Sequence, residues 1–181
     1  IDQDLSARNG PSYVEKTQHK FIRFSNNTTL ESDVRLSWKN ESPLPDVQGG
    51  TYKVYTQLLL PSNSTVTEIT RNNVLVEQVD ELTGKYKILG LYVEVPPGKT
   101  VELKVSYTMP VRLQPVINYQ LIAQKQLGTH AGNIIFEAVL PPGYSINAKN
   151  IEPVVNNGRI FYNTILNTDK LFFLELKKKR N

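Results

Sequence analysis

The sequence predicts an all-β fold: a two-sheet antiparallel β-sandwich, immunoglobulin-like or jelly-roll-like, of about 11–12 strands. Three observations predict it. Apolar and polar residues alternate over segment after segment; Pro, Gly and Asn punctuate those segments; and no run of ten or more residues carries a helical stripe. The alternation is plainest where Val101, Leu103, Val105, Tyr107 and Met109 take one parity and Glu102, Lys104, Ser106 and Thr108 the other. Period-2 patterning of this kind belongs to a strand with one buried and one wet face.

Residues 1–18 are polar and read as an irregular lead-in to a domain spanning 19–176. Residues 21–25 open the first strand, with Ile22 and Phe24 on one face, and 26–29 (Asn-Asn-Thr-Thr) form a turn. Val34, Leu36 and Trp38 alternate with Asp33, Arg35, Ser37 and Lys39 in a second strand, where the sole Trp anchors the core. After a Pro- and Gly-containing loop, Tyr52, Val54, Thr56, Leu58 and Leu60 share a face. Weaker strands over 66–70 and 74–79 flank Arg71-Asn72-Asn73.

In the next strand the apolar parity changes between Tyr86/Ile88 and Leu91/Val93/Val95, and a β-bulge near Gly90 is the expected cause. Pro96-Pro97-Gly98 turns into the 101–109 strand, and 110–117 is a crossing; two subdomains, 19–112 and 113–176, are the alternative to one sandwich. Strands follow over 119–126, 133–140, 144–148, 159–165 and 171–176. A second Pro141-Pro142-Gly143 turn and the hairpin signal Asn156-Asn157-Gly158 lie between them.

Composition narrows function. The chain of 181 residues has 21 Lys and Arg against 17 Asp and Glu, giving +4. Lys177, Lys178, Lys179 and Arg180 carry that whole excess, and the rest balances, so the pI of 9.2 belongs to a basic tail over 177–181. A nucleic-acid binder spreads its cations over a face, so no nucleic-acid partner is expected. The tail reads as a solvated terminus, or as a contact for anionic wall polymer or lipid.

There is no Cys, hence no disulfide or thiolate site. Asn27, Asn40 and Asn63 head glycosylation sequons, which chance supplies readily in an Asn/Ser/Thr-rich chain. No apolar run reaches the roughly 20 residues of a membrane helix. The chain opens at Ile1 without Met and reads as a piece of a longer protein.

Little in the chain looks built for chemistry. His19 and His130 sit on separate segments, and no nucleophile elbow, P-loop or EF-hand pattern occurs. No catalytic residue, metal or cofactor is expected; a casual calcium site between loops stays open. An enzyme would require a pocket joining one of the His with a carboxylate and a Ser. Tyr55 and Tyr92 have the parity opposite their strands' apolar runs. On one outer face they would make a stacking platform for sugar rings; otherwise both sheet faces are covered. An intramolecular isopeptide bond would need Lys20, Asn163 and Glu102 together.

Residues 119–129, Tyr-Gln-Leu-Ile-Ala-Gln-Lys-Gln-Leu-Gly-Thr, carry a resemblance, together with Gly50-Thr51-Tyr52 leading to Leu60-Pro61 and the Pro96-Pro97-Gly98 region ending at Met109-Pro110. Over about residues 20–145 the chain resembles the β-rich C-terminal region of a bacterial family of membrane-anchored envelope proteins. That family is known only as a domain of unknown function. The resemblance implies an extracytoplasmic module and supplies no activity. Lys125, Gln126, Gly128 and Thr129 of its Lys-Gln-x-Gly-Thr motif read as a structural bracket, with Gly128 suited to positive φ, or as a contact for glycan or a partner domain. The expectation is a non-catalytic spacer or protein-interaction module of the cell envelope. Its partners would be other envelope proteins or the rest of its own chain, with exposed strand edges as one route to them. A carbohydrate-binding module is the alternative, and an accessory domain of a hydrolase the second alternative.

Overall fold

A computed structural model describes residues 1–6, 10–25, 28–43, 50–125 and 131–179. Fifteen strands are found among them: β1 (Asp2–Asp4), β2 (Val14–Phe24), β3 (Thr29–Asn40), β4 (Tyr52–Pro61), β5 (Thr65–Arg71), β6 (Val74–Leu75), β7 (Asp80–Thr83), β8 (Tyr86–Val95), β9 (Thr100–Pro110), β10 (Val116–Ala123), β11 (Gly132–Val139), β12 (Tyr144–Lys149), β13 (Val154–Asn156), β14 (Arg159–Leu166) and β15 (Lys170–Lys178). A 3-10 turn, Gly10–Tyr13, is the helical element among the described residues. The chain is all-β, as its alternation predicts.

The strands form an eight-stranded sheet in the order β13-β14-β11-β2-β3-β9-β5-β6, a four-stranded sheet β1-β4-β8-β7 and a three-stranded sheet β10-β15-β12. Neighbours pair antiparallel except β2 and β11, which run parallel. Both small sheets cover the same face of the large one. On β3, Leu30 and Trp38 share a parity, yet Leu30 packs in one hydrophobic cluster and Trp38 in the other. The first cluster lies under the three-stranded sheet, where Phe136 of β11 touches the rings of Tyr119, Tyr162 and Phe172 at 5.5–5.8 Å. The second lies under the four-stranded sheet, around Trp38, Val54, Val93 and Leu103. The sandwich therefore has one continuous layer and one divided layer.

Several sequence expectations change. Residues 1–18 are no irregular lead-in: they include β1, the 3-10 turn and the start of β2, which lies in the middle of the large sheet. Their polarity hid them, because Asp2 is buried through polar bonds and β2 is flanked by strands on both edges. There is no bulge at Gly90: β4 and β8 pair without a register shift from Tyr52↔Val95 to Pro61↔Tyr86. The parity changes because Tyr86 and Ile88 occupy the outer face while Leu89, Leu91, Val93 and Val95 face inward.

The basic tail begins later than expected, since Lys177 and Lys178 belong to β15, opposite Val116 and Tyr144. Lys179 follows the strand, and Arg180 lies outside the described residues. Asn40 is only 1% exposed, its amide donating to the carbonyls of Gly50 (2.8 Å) and Val95 (2.9 Å) while its Oδ1 accepts from the Ser42 amide (3.0 Å). It is thus a buried hinge pin between loops and no glycan acceptor; Asn63 is exposed, and Asn27 lies outside the described residues. The turns follow their residues: Gly98 and Gly143 of the two Pro-Pro-Gly turns, and Asn157-Gly158, all take positive φ.

Candidate binding cleft

Because one layer is divided, a seam runs between the two small sheets, floored by β2 of the large sheet. The inward parity of β2 reads Lys16, Gln18, Lys20, Ile22, Phe24: the last two sit under cover, and the first three lie beneath the seam. A strand whose inner face turns polar midway is a sequence-level sign of such an uncovered stretch, because an uncompensated polar group under a packed sheet is costly.

The main cavity has a volume of about 490 Å3, within the range of small-molecule and peptide sites. Val14, Leu36, Trp38 and Leu166 give it an apolar lining; Leu58 and Leu59 of β4 flank it on one side, Ile122 and Ala123 of β10 on the other. A second cavity of about 150 Å3 continues it along Leu58–Leu60 and Leu121–Ala123 to Lys20 and Tyr107. Leu59 and Ile122 are 45% and 64% exposed, an apolar pair beside the opening.

Polar groups are fixed within this frame. Asp2 of β1 accepts hydrogen bonds from the Lys16 ammonium and the Thr56 hydroxyl, tying the four-stranded sheet to β2. Burial disfavours the Asp2 carboxylate, but the Lys16 charge and the two hydrogen bonds outweigh it and hold its pKa below the ordinary value. The Lys16 ammonium also lies 5.4 Å from the centre of the Trp38 ring. Trp38 is fully buried, and among the described residues its Nε1–H has no hydrogen-bond partner, which is rare for a buried donor.

Deeper along the seam, the Lys20 ammonium donates to the Ser32 hydroxyl and, at 2.6 Å, to the Tyr107 hydroxyl, 4.4 Å from that ring's centre. Desolvation pulls the Lys20 pKa down, against the opposing pull of Tyr107 and Asp33. Lys125 reaches the rim: it lines the cavity, and its amide donates to the Asp169 carboxylate at 2.7 Å. Lys125 of the Lys-Gln-x-Gly-Thr motif thus borders the cleft; Gln126, Gly128, Thr129 and His130 lie outside the described residues.

Tyr55 and Tyr92 do come together. They are directly opposite in the β4–β8 ladder, on the outer face of the four-stranded sheet. Gly90 explains how: an added Cβ there would lie 1.9 Å from the Tyr55 hydroxyl, so the phenol rests on bare backbone. Both hydroxyls are engaged, Tyr55 donating to Asp80 at 2.7 Å and Tyr92 to Glu94 at 2.8 Å. These bonds to the neutral phenols raise both tyrosines' pKa.

The other combinations do not form. Lys20 faces the seam, whereas Asn163 and Glu102 have the outward parity of their strands, so no isopeptide triad exists. His19 lies on the outer face of the large sheet, its Nε2 3.7 Å from Glu137 and without a hydrogen bond among the described residues. The small cavity that His19 borders is lined by neither a carboxylate nor a Ser among the described residues. No group of three or more metal-ligating side chains is found among the described residues.

Sequence reasoning passed over Asp2, Lys16 and Gln18, and weighed Asn40 only as the head of a sequon. The signal that could have found Lys16 and Gln18 is the polar inward parity of residues 16–20.

No family model and no curated protein matches the chain. Among solved structures, a Legionella pneumophila protein provisionally described as nutrient-binding superposes over 98% of this chain and 70% of its own, with a TM-score of 0.57 and 12% identity. That likeness supports the all-β fold. An M1 zinc metallopeptidase of Deinococcus radiodurans matches 93% of this chain and 43% of its own length, with a TM-score of 0.43 and 14% identity. This overlap is too loose to argue from.

Proposed function

We propose that the chain is a non-catalytic interaction module of a bacterial envelope protein, and that it holds its partner in the cleft between the two small sheets. The observation that carries this is the cleft itself: a cavity of about 490 Å3 with an apolar lining, fixed polar groups and a fully buried indole N–H with no hydrogen-bond partner among the described residues. Such a concavity suits binding, since apolar area supplies affinity and a few placed polar groups supply orientation. The envelope setting follows from the motif resemblance.

A second reading has its own observation. The Tyr55–Tyr92 pair on the outer face of the four-stranded sheet suits stacking against a sugar ring.

One experiment separates the two. The whole chain is titrated with cell-wall glycan fragments, wall polymer and peptides while the emission of Trp38, the sole Trp, is followed. A cleft ligand shifts that emission and binds at least tenfold more weakly to Lys16→Ala. A platform ligand leaves the emission unchanged and is lost in Tyr55→Ala and in Tyr92→Ala. Binding that does neither, or is abolished only by truncation at Lys179, overturns both.

A further inference from the structure

We propose that the occupant of the cleft is an extended polypeptide segment of a partner protein, added as a strand to the open edge of β10; this rests on the cleft being the binding site.

Six strands end the three sheets, and five are guarded. β1, β6 and β13 are only three, two and three residues long, and β7 is four residues beginning Asp80-Glu81. β12 carries a register shift between Ile146 and Ala148 and ends in Lys149. Shortness, charge and bulges are the devices that keep an edge from pairing. β10 has none of them. Its eight residues, Val-Ile-Asn-Tyr-Gln-Leu-Ile-Ala, hold no charge and no Pro, and pair with β15 without a shift. Among the described residues its other edge pairs with nothing.

The phase of that edge can be read. The Lys178 amide donates to the Pro115 carbonyl, so the alternation of an antiparallel ladder turns residues 115, 117, 119, 121 and 123 toward β15. The N–H and C=O groups of Val116, Asn118, Gln120 and Ile122 therefore point away from it, along the open edge. Backbone donors and acceptors along one wall, beside an apolar lining with fixed polar groups, are what an extended peptide needs: ladder bonds for affinity, alternate side chains for specificity.

The test pans a phage-displayed library of random ten-residue peptides on the whole chain, and synthesises the enriched sequences. Gln120→Pro deletes one outward N–H and leaves the β15 ladder intact, because that N–H points away from it. It should weaken the peptide at least tenfold, while Gln120→Ala stays within threefold. Bound peptide should slow amide exchange at Asn118, Gln120 and Ile122. Backbone N-methylation of the peptide should abolish binding at one alternate set of positions and not the other, a readout that needs no change in the protein. An enriched peptide that shifts Trp38 emission but tolerates Gln120→Pro and both methylation sets overturns strand addition while leaving the cleft as the site. One that leaves the emission unchanged as well overturns both. Failure to enrich any peptide, or a concentration-dependent dimer dissolved by Gln120→Pro, overturns the inference, the latter in favour of a second copy on this edge.

Discussion

Asn40 shows how much one polar side chain holds. Its amide and carbonyl satisfy three backbone groups from separate segments in a site closed to water. Asn40→Ala leaves those groups buried without partners and should cost about 2–3 kcal/mol, read as a lower urea midpoint at unchanged slope. Lys20 acts through its charge. Burial lowers its pKa in the folded protein, so between that value and the ordinary 10.5 the unfolded chain binds more protons than the folded one. Stability then rises with pH across that window. Lys20→Met removes the effect: raising the pH from 7 toward 10.5 should favour the wild type relative to the variant in paired urea titrations. Neither role was legible beforehand. An Asn after a Lys and before a Glu looks like a strand end, and a Lys two residues before Ile22 looks like solvent-facing punctuation; burial of both is decided by loops and sheets distant in sequence.

At the level of single strands, the sequence speaks clearly where one face is dry and the other wet. β3, β4, β9 and the hairpin turn at Asn157-Gly158 follow from alternation and turn chemistry alone. It speaks poorly for β1 and β2, whose neighbours are polar partners rather than apolar cover, and it misplaces the parity change at Ile88 because an outward apolar residue mimics a phase slip. The parallel contact of β11 with β2 is likewise unmarked, except by Gly132. A Cβ there would come 2.4 Å from the Lys16 carbonyl oxygen, backbone against backbone. Gly132→Ala should therefore part the two strands at the cleft floor, at a cost of about 1–3 kcal/mol in thermal or urea unfolding. It should also weaken any cleft ligand. Gly84→Ala, where nothing lies within 4 Å, is the matched control.

For the molecule as a whole, the divided layer is what composition could not announce. The division near residues 112–113, the alternative to one sandwich, lies between β9 and β10, and the large sheet runs across it through β2 and β11. Ile22, Phe24 and Leu30, from before the boundary, complete the cluster beneath the three-stranded sheet. A fragment of residues 1–112 would expose them and lose the partner of β2. It should show no cooperative unfolding by calorimetry, whereas the intact chain melts in one transition; a fragment with its own sharp transition would mean two autonomous units.

The β2–β11 ladder also sets a tempo. Hairpins such as β2–β3 and β13–β14 join near neighbours and can close early, but Thr17 meets Asn133 only after most of the intervening chain has been gathered in. Loop-closure entropy makes such a distant parallel pairing slow to nucleate. The seam strand thus gains its second neighbour late, and a ribosome must deliver residue 139 before the first long strand of the protein pairs fully on both sides.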